Sequence, residues 1–159
     1  MFTTLTQTFW GKLIATFFLS MLPVAELRAG LPYGIALGLS YPLALSASIL
    51  GNILPCPFVI LFVRRFFSLL RRKSAILDSW VKKLESHAQA KSKKVLQYGL
   101  LGLILLVAIP LPGTGAWTGA LVAALLRMRL RQAIPCILIG LLIAAGIVSM
   151  ITYGFIYFN

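Results

Sequence analysis

Acidic residues are almost absent from this sequence. Its 159 residues include three Asp or Glu, one His and two Cys, against 15 Lys or Arg. So few carboxylates and imidazoles leave no spacing that would hold a metal ion or pair a nucleophile with a base. Cys56 and Cys136 lie far apart in apolar surroundings, so both are expected to be free, buried thiols. The sequence therefore indicates no enzyme, no catalytic residues, no metal and no cofactor.

Hydrophobic residues dominate what is present. They make up 60% of the chain, charged residues make up 11%, and the mean hydropathy is +0.95. This composition is typical of an integral membrane protein. At this length, residues 1–159 are expected to form a single membrane domain with few spans, located in the cell membrane and in contact with membrane lipids.

Most of the net charge of +12 lies in one block. Residues 64–94 hold ten Lys or Arg against Asp78 and Glu85. The positive-inside rule places this block, and the Arg cluster at 127–131, in the cytoplasm. Apolar residues recur through 64–94 at helical spacing, which predicts an amphipathic helix on anionic lipid headgroups, or one packed on the protein's own cytoplasmic face. No nucleic-acid-binding module is present, so nucleic acid is not an expected partner.

Two apolar stretches are interrupted where a continuous helix would not be. The first interruption is Leu22–Gly34 and the second lies within Leu106–Gly119. Proline removes a backbone donor, glycine weakens a helix, and every freed polar group in a membrane needs a partner. Each interruption is therefore either a loop outside the bilayer or a break inside it, and we favour the break.

The apolar arms beside the breaks are too short to span. Phe9–Leu22, Val95–Ile109 and Trp117–Leu126 are about 10–15 residues each, or roughly 15–22 Å of helix, against a hydrocarbon core of about 30 Å. The second pair of arms has a basic cluster at each end, which predicts a hairpin that enters from the cytoplasm and returns. Leu43–Val63 is long enough to span, and Ala133–Phe158 spans likewise.

The predicted fold is all-α and integral to the membrane, with two inverted units, each a re-entrant helical hairpin followed by a transmembrane helix. The units cover residues 8–63 and 95–158, and the cytoplasmic amphipathic segment 64–94 joins them. A weak internal similarity supports the repeat, because Ser48–Gly51 and Ile137–Gly140 follow the two breaks at similar distances. Inverted units with broken helices at mid-depth are typical of alternating-access transporters.

Glu26 is the one acidic residue outside the basic block, and Arg28 lies beside it. A charge in hydrocarbon costs about 2.5–3.5 kcal/mol or more, so both are candidate functional residues. A low dielectric raises a carboxyl pKa and a nearby Arg lowers it, which suits a group that exchanges a proton. Arg28 suits a phosphate or carboxylate. The alternative is that the two charges neutralise each other and cap broken helix ends.

The second break is expected to contribute backbone N–H groups to the site. Its glycines allow close approach, and a helix starting near Ala116 would direct free N–H groups toward an anion. Trp117 is expected to pack or to cover an apolar ligand, and Asn52 to bond a freed backbone group or a ligand. The residues expected to bind substrate or protons are Glu26, Arg28, Gly30, Pro32, Asn52, Pro110, Pro112, Gly113, Thr114, Gly115, Trp117 and Thr118.

The stretches ELRAGLPYGIALG, ILGN and AIPLPGTGAWTGALVA, with the basic segment between them, resemble the small multidrug export protein family. That family looks distantly similar to the DedA (VTT-domain) membrane proteins. The resemblance implies two facing re-entrant hairpins that translocate lipid phosphates, such as undecaprenyl phosphate, or phospholipids with ion coupling. By motif, Glu26 and Arg28 would be the functional pair, and Pro112, Gly113 and Gly115 the second hairpin tip.

The expected function is transport of an amphiphile with an anionic head, coupled to protonation of Glu26. One alternative is export of small hydrophobic or cationic drugs, with Glu26 as counter-ion. Another is a membrane scaffold that transports nothing and uses the basic amphipathic helix. The small size of the chain is also compatible with a homodimer.

Overall fold

The structure is a computed structural model that describes residues 8–73, 79, 83, 86, 100–111 and 113–157. These residues form helices joined by short turns, and none of them lies in a β-strand. In chain order the helices are α1 (Phe9–Met21), α2 (Glu26–Ala36), α3 (Tyr41–Ile53), α4 (Pro55–Lys73), α5 (Leu100–Ala108), α6 (Ala116–Leu125) and α7 (Leu130–Tyr157). The predicted all-α class is confirmed for this part of the chain.

Two helical stretches in the described residues are long and apolar enough to cross a membrane. The first, Tyr41–Leu69, joins α3 and α4 and has a mean hydropathy of 1.9; the second, Leu130–Thr152 in α7, has a mean hydropathy of 2.6. Large apolar side chains on these helices are exposed, Phe58 at 68% and Phe62 at 70%. Such a surface suits lipid rather than water, as the composition predicts.

The first long helix extends further than the sequence predicted. The prediction ended it at Val63, before the arginines, whereas α4 continues to Lys73. Arg, Leu and Phe all tolerate a helix, and no proline or glycine follows Pro57 to stop it. The prolines at 55 and 57 lie in the first turn of α4, where a missing N–H costs little.

Both breaks are shorter than predicted. The first covers residues 22–25, because α2 begins at Glu26 and contains Pro32. The second covers residues 109–115, between α5 and α6. The predicted amphipathic segment 64–94 is described only at residues 64–73, 79, 83 and 86, and residues 95–99, Pro112 and residue 158 also lie outside the described residues.

The turns that follow α2 and α6 have the same backbone hydrogen bonds. The Leu39 N–H donates to the Gly34 carbonyl at 3.1 Å, and the Met128 N–H donates to the Ala123 carbonyl at 3.0 Å. The residue before each donor has a positive φ, +82° in one half and +53° in the other. This six-residue closure is a Schellman motif, which ends a helix by satisfying its last carbonyls.

In the first half, α1 packs against α2 and α3 at Ser20. A Cβ added to Gly30 of α2 would lie 2.9 Å from the Ser20 Cβ, and one added to Gly51 of α3 would lie 3.1 Å from it. Carbon atoms do not approach so closely, so a side chain at either position would push the helices apart. The first arm therefore contacts both neighbours because these two residues are glycine.

In the second half, α5 packs against α6 and α7 at Val107 in the same way. A Cβ added to Gly119 of α6, or to Gly140 of α7, would lie 2.6 Å from a Val107 side-chain carbon. The two glycines of each half are the same number of residues apart. Close glycine contacts of the same kind thus occur in both halves of the chain.

The halves also interlock. One buried cluster brings Cys56 and Ile60 of α4 against Ala116 and Ala120 of α6, together with α5 and the first part of α7. A second cluster joins α2 and α3 to the far part of α7 through Val148. Each long helix therefore packs against the short helices of both halves, and the two breaks are brought together between them.

Candidate functional site

Arg28 of the first half holds the second break. Its Nη2 donates to the Thr114 carbonyl at 3.0 Å and to the Thr114 hydroxyl at 2.8 Å. The same nitrogen lies 3.4 Å from the Ile109 carbonyl, and Nη1 donates to the Leu111 carbonyl. The guanidinium fork is thus used almost entirely on backbone acceptors that the break removes from the helix ladder.

The tip of the second break is closed by its own hydroxyl groups. The Thr114 Oγ1 lies 2.6 Å from the Ile109 carbonyl and 2.8 Å from the Leu111 carbonyl, and it accepts the Leu111 N–H at 3.1 Å. The Thr118 hydroxyl donates to the Gly113 carbonyl at 2.9 Å. Both threonines therefore stabilise the loop that Arg28 binds.

Glu26 caps α6, the helix that follows this loop. Its side chain is 5% exposed, and its Oε1 accepts the backbone N–H of Trp117 at 3.2 Å. Trp117 is the second residue of α6, so the carboxylate lies at the positive end of that helix. Glu26 also has a φ of +48°, an uncommon conformation that costs about 1–3 kcal/mol in a residue with a Cβ.

Gly115 makes this approach possible. It precedes α6 with a φ of +129°, and a Cβ added there would lie 2.6 Å from the Glu26 carboxyl carbon. A side chain at this position would therefore displace the carboxylate from the helix end. The glycine has both a conformational and a steric reason to be there.

Trp117 connects the breaks a second time. Its indole Nε1 donates to the Met21 carbonyl at 3.1 Å, at the end of α1 where the helix leaves carbonyls without partners. The two halves thus exchange hydrogen-bond donors. Arg28 donates to carbonyls of the second break, and the Trp117 indole donates to the Met21 carbonyl beside the first break. This exchange satisfies backbone groups that no water would reach inside a bilayer.

Two sequence expectations are refined here. The amino end of α6 was expected to receive a substrate anion, but a carboxylate of the protein, Glu26, occupies it. Glu26 and Arg28 were alternatively expected to neutralise each other and to cap broken helix ends. No ion pair is described between them, but Glu26 does lie at the amino end of α6 and Arg28 on carbonyls of the second break. Their side chains contact different parts of the second break.

The remaining predicted residues lie in different places. Gly30 is a packing contact of α2, and Pro32 lies partly buried within the same helix. Asn52 is fully buried on α3, where its Nδ2 donates to the Ser48 carbonyl at 3.0 Å. Pro110 is half-buried in the second break, and Gly113 is exposed at its tip with a φ of +85°.

Several groups that contribute to the site have no signature in the sequence. The carbonyls of Met21, Ile109 and Leu111 accept the bonds described above, and no side-chain motif reveals a carbonyl. Cys56 was expected to be buried, and it is, but its Sγ also lies 3.7 Å from the Ala116 carbonyl, at the helix end that Glu26 occupies. Its spacing of one helical turn from Asn52 was the available signal.

The breaks present apolar side chains on their outer surface. Val24 is 95% exposed and Leu22 53% in the first break, and Leu111 is 56% exposed in the second. Loops in water are usually polar. These tips resemble surfaces that contact hydrocarbon or an apolar ligand.

A family model described as "Putative small multi-drug export protein" matches residues 26–147, which is more than half of the chain. The chain belongs to this family. The small multi-drug export match begins at Glu26, directly after the first break, includes the second break and ends in α7, so it contains Glu26, Arg28 and the residues that they contact in the second break. Together with the two long apolar helices, it indicates a membrane protein. No curated protein and no solved structure matches the chain.

Proposed function

We propose that this protein is a transporter that moves an amphiphile with an anionic head through the membrane, coupled to protonation of Glu26. The observation that carries the proposal is the carboxylate of Glu26 on the Trp117 amide, on the loop that Arg28 binds. A carboxylate there acts as an internal anion, at the end of a helix that favours negative charge. A phosphate or carboxylate head would be recognised by the same groups.

The coupling follows from competition for that helix end. When Glu26 is ionised, it occupies the Trp117 amide and excludes a second anion by repulsion. When Glu26 takes up a proton, it loses its charge, and an anionic head can displace it. Binding of the head would also draw Arg28 from the carbonyls of residues 109–114 and loosen the contact between the breaks. Proton uptake and substrate binding would thus favour the same state.

Re-entrance is part of the proposal. The helices beside the breaks have 13, 11, 9 and 10 residues, so each extends about 13–20 Å at 1.5 Å per residue. None crosses a core of about 30 Å alone. Apolar tips, mutual satisfaction of backbone groups and the close glycine contacts in both halves all suit two hairpins that meet at mid-depth from opposite leaflets.

The proposed orientation places residues 64–94 and 127–131 in the cytoplasm, because basic loops remain on that side. The basic segment would then contact anionic headgroups. The proposed substrate class is a lipid phosphate, such as undecaprenyl phosphate, or a phospholipid, because an anionic head suits both the Arg28 guanidinium and the amino end of α6.

Flux in liposomes tests this function. Purified protein is reconstituted with a fluorescent lipid phosphate, and movement between leaflets is followed by dithionite quenching across a range of pH. We expect wild-type flux to depend on pH and Glu26→Gln to abolish that dependence with low flux. Full, pH-dependent activity in Glu26→Gln would refute the coupling.

A second candidate is export of small hydrophobic cations. The family description favours it, and so does a buried carboxylate that makes no ion pair with Arg28. Competition decides between the two candidates in the same liposomes. Inhibition by cationic dyes and not by lipid phosphates would favour drug export, and the reverse pattern would favour the anionic amphiphile.

A further inference from the structure

A row of buried polar side chains lies along the first long helical stretch, one helical turn apart. Ser48, Asn52 and Cys56 are each at most 1% exposed. The Ser48 Oγ and the Asn52 Oδ1 have no hydrogen-bond partner among the described residues. Buried polar atoms are rarely left unpaired, because each costs free energy, so these two oxygens indicate a ligand rather than a packing role.

The register between α2 and α3 places this row opposite a matching row on α2. The two helices follow one another across a short turn and pack antiparallel. Near the turn, a Cβ added to Gly34 would lie 3.0 Å from the Ala44 Cβ. Moving one turn away from the connection on both helices pairs Gly30 with Ser48.

Continued by one further turn, this register would bring Glu26 opposite Asn52. Contacts at the amino end of α6 agree with it, because the Glu26 Oε1 accepts the Trp117 N–H and the Cys56 Sγ, one turn beyond Asn52, lies 3.7 Å from the Ala116 carbonyl. The second oxygen of Glu26, Oε2, lies at the same helix end, where a Cβ added to Gly115 would collide with it. The register thus groups the Glu26 carboxylate with the Asn52 Oδ1 and the Ser48 Oγ.

The negative charge of the Glu26 carboxylate favours a bound cation at this position. Glu26 is buried, and the guanidinium of Arg28 is used on the carbonyls of the second break. A carboxylate, an amide oxygen and a hydroxyl are ligands for a hard cation. One carboxylate with an arginine two residues away suits a single positive charge, since divalent ions usually recruit several carboxylates.

We propose that Glu26, Asn52 and Ser48 form a site for a small monovalent cation, either Na⁺ or a proton held on Glu26 by the Asn52 oxygen. This inference rests on the proposed role of Glu26 as the group that exchanges a cation, and it names the ligands that complete the site. Among the described residues, the other charged or titratable groups near Glu26 are Arg28 on its own helix and the Cys56 thiol of α4. The facing turn of α6 contributes the backbone N–H of Trp117.

Thermal unfolding of the full chain in detergent tests the site without any transport substrate. The melting temperature is measured at equal ionic strength in NaCl, KCl and choline chloride at alkaline pH, and then across pH in choline chloride. Ser48→Ala and Asn52→Leu each remove one proposed ligand. Ser46→Ala is the matched control, since Ser46 is exposed on the same helix. Ser48→Ala keeps the test informative if Asn52→Leu does not fold, because α3 already carries alanines on this face.

A sodium site predicts that Na⁺ alone raises the melting temperature, by mass action. The half-saturating Na⁺ concentration should rise roughly 10–100-fold in Ser48→Ala and Asn52→Leu, and stay unchanged in Ser46→Ala. A proton site predicts no effect of Na⁺, while the acid limb of the pH dependence moves to lower pH in Asn52→Leu, because the protonated carboxyl loses its acceptor.

The proposal is overturned if both ligand variants match Ser46→Ala in every salt and at every pH. A protein that shows the cation effect but no flux in liposomes would retain this site and disprove transport. The two failures are therefore distinguishable.

Discussion

The Glu26 carboxylate accepts the Trp117 N–H at 3.2 Å, so the first residue of α2 caps the helix that follows the second break. The two residues are far apart in the sequence and belong to different halves of the chain. Because Trp117 also donates its indole N–H to the first break, breaking this contact would disturb both breaks at once.

Gly115→Ala should separate the Glu26 carboxylate from α6. The added Cβ would meet the carboxyl group, and a φ of +129° disfavours any side chain. Overpacking costs about 1–3 kcal/mol, beyond the backbone strain. Gly113→Ala is the matched control, because its φ is also positive but nothing lies within 4 Å of its Cβ; it should cost about 1–2 kcal/mol. SDS titration of the folded protein measures both, and equal losses would contradict the contact.

Arg28→Ala should release the second break. Loss of charge-assisted hydrogen bonds to the carbonyls of residues 109–114 should cost about 1.5–3 kcal/mol, nearer the lower figure because Arg28 is partly exposed. Arg28→Lys should rescue little, since an ammonium cannot reproduce the planar fork. Hydrogen exchange by mass spectrometry should show faster exchange at 109–119. Arg65→Ala is the control, because Arg65 is exposed on α4. If residues 109–119 exchange no faster in Arg28→Ala than in Arg65→Ala, the Arg28 hydrogen bonds do not hold the second break.

Substitution of one closely packed glycine in each half should destabilise the protein by similar amounts. Gly51→Ala would meet the Phe17 backbone carbonyl, and Gly140→Ala the Ile104 carbonyl at 2.9 Å. Both should destabilise the protein by about 1–3 kcal/mol. Gly146→Ala on α7 has open space around its Cβ and should be neutral or stabilising by up to about 1 kcal/mol. The free energy of unfolding in detergent is measured for all three variants. An unchanged value for Gly51→Ala or Gly140→Ala would contradict the close helix contact at that glycine.

Cysteine labelling in sealed vesicles tests the depth of the breaks. Val24→Cys and Leu111→Cys carry exposed side chains at the two tips, whereas the native cysteines are buried. We expect neither to react with an impermeant maleimide from either side, and both to react once the protein is unfolded in SDS, because the thiolate that attacks a maleimide does not form in hydrocarbon. Arg131→Cys, exposed in the proposed cytoplasmic cluster, should react from that side. Reaction of the tips with the impermeant reagent would place them in water and remove the transport site.

Helix positions were largely predictable because their causes are local. Pro23, Pro110 and the glycines of the second break interrupt a helix wherever the chain is placed, so both breaks were found from sequence. The boundary at Val63 was wrong because basic residues mark a membrane face without ending a helix. Pro32 was taken as part of a break but lies within α2, since neighbouring turns can absorb one missing donor.

The sequence predicted which types of group would form hydrogen bonds in the site, but not which residues would pair. The sequence by itself determined that the breaks would free backbone groups needing partners, and that Glu26 and Arg28 are charges an apolar chain retains for a reason. The tertiary structure alone decided that Arg28 would serve the carbonyls of the second break, and that Glu26 would occupy the helix end expected for a substrate. Local pattern follows from propensity along a few residues, whereas these contacts depend on how distant helices pack, which close glycine contacts at Gly51 and Gly140 control.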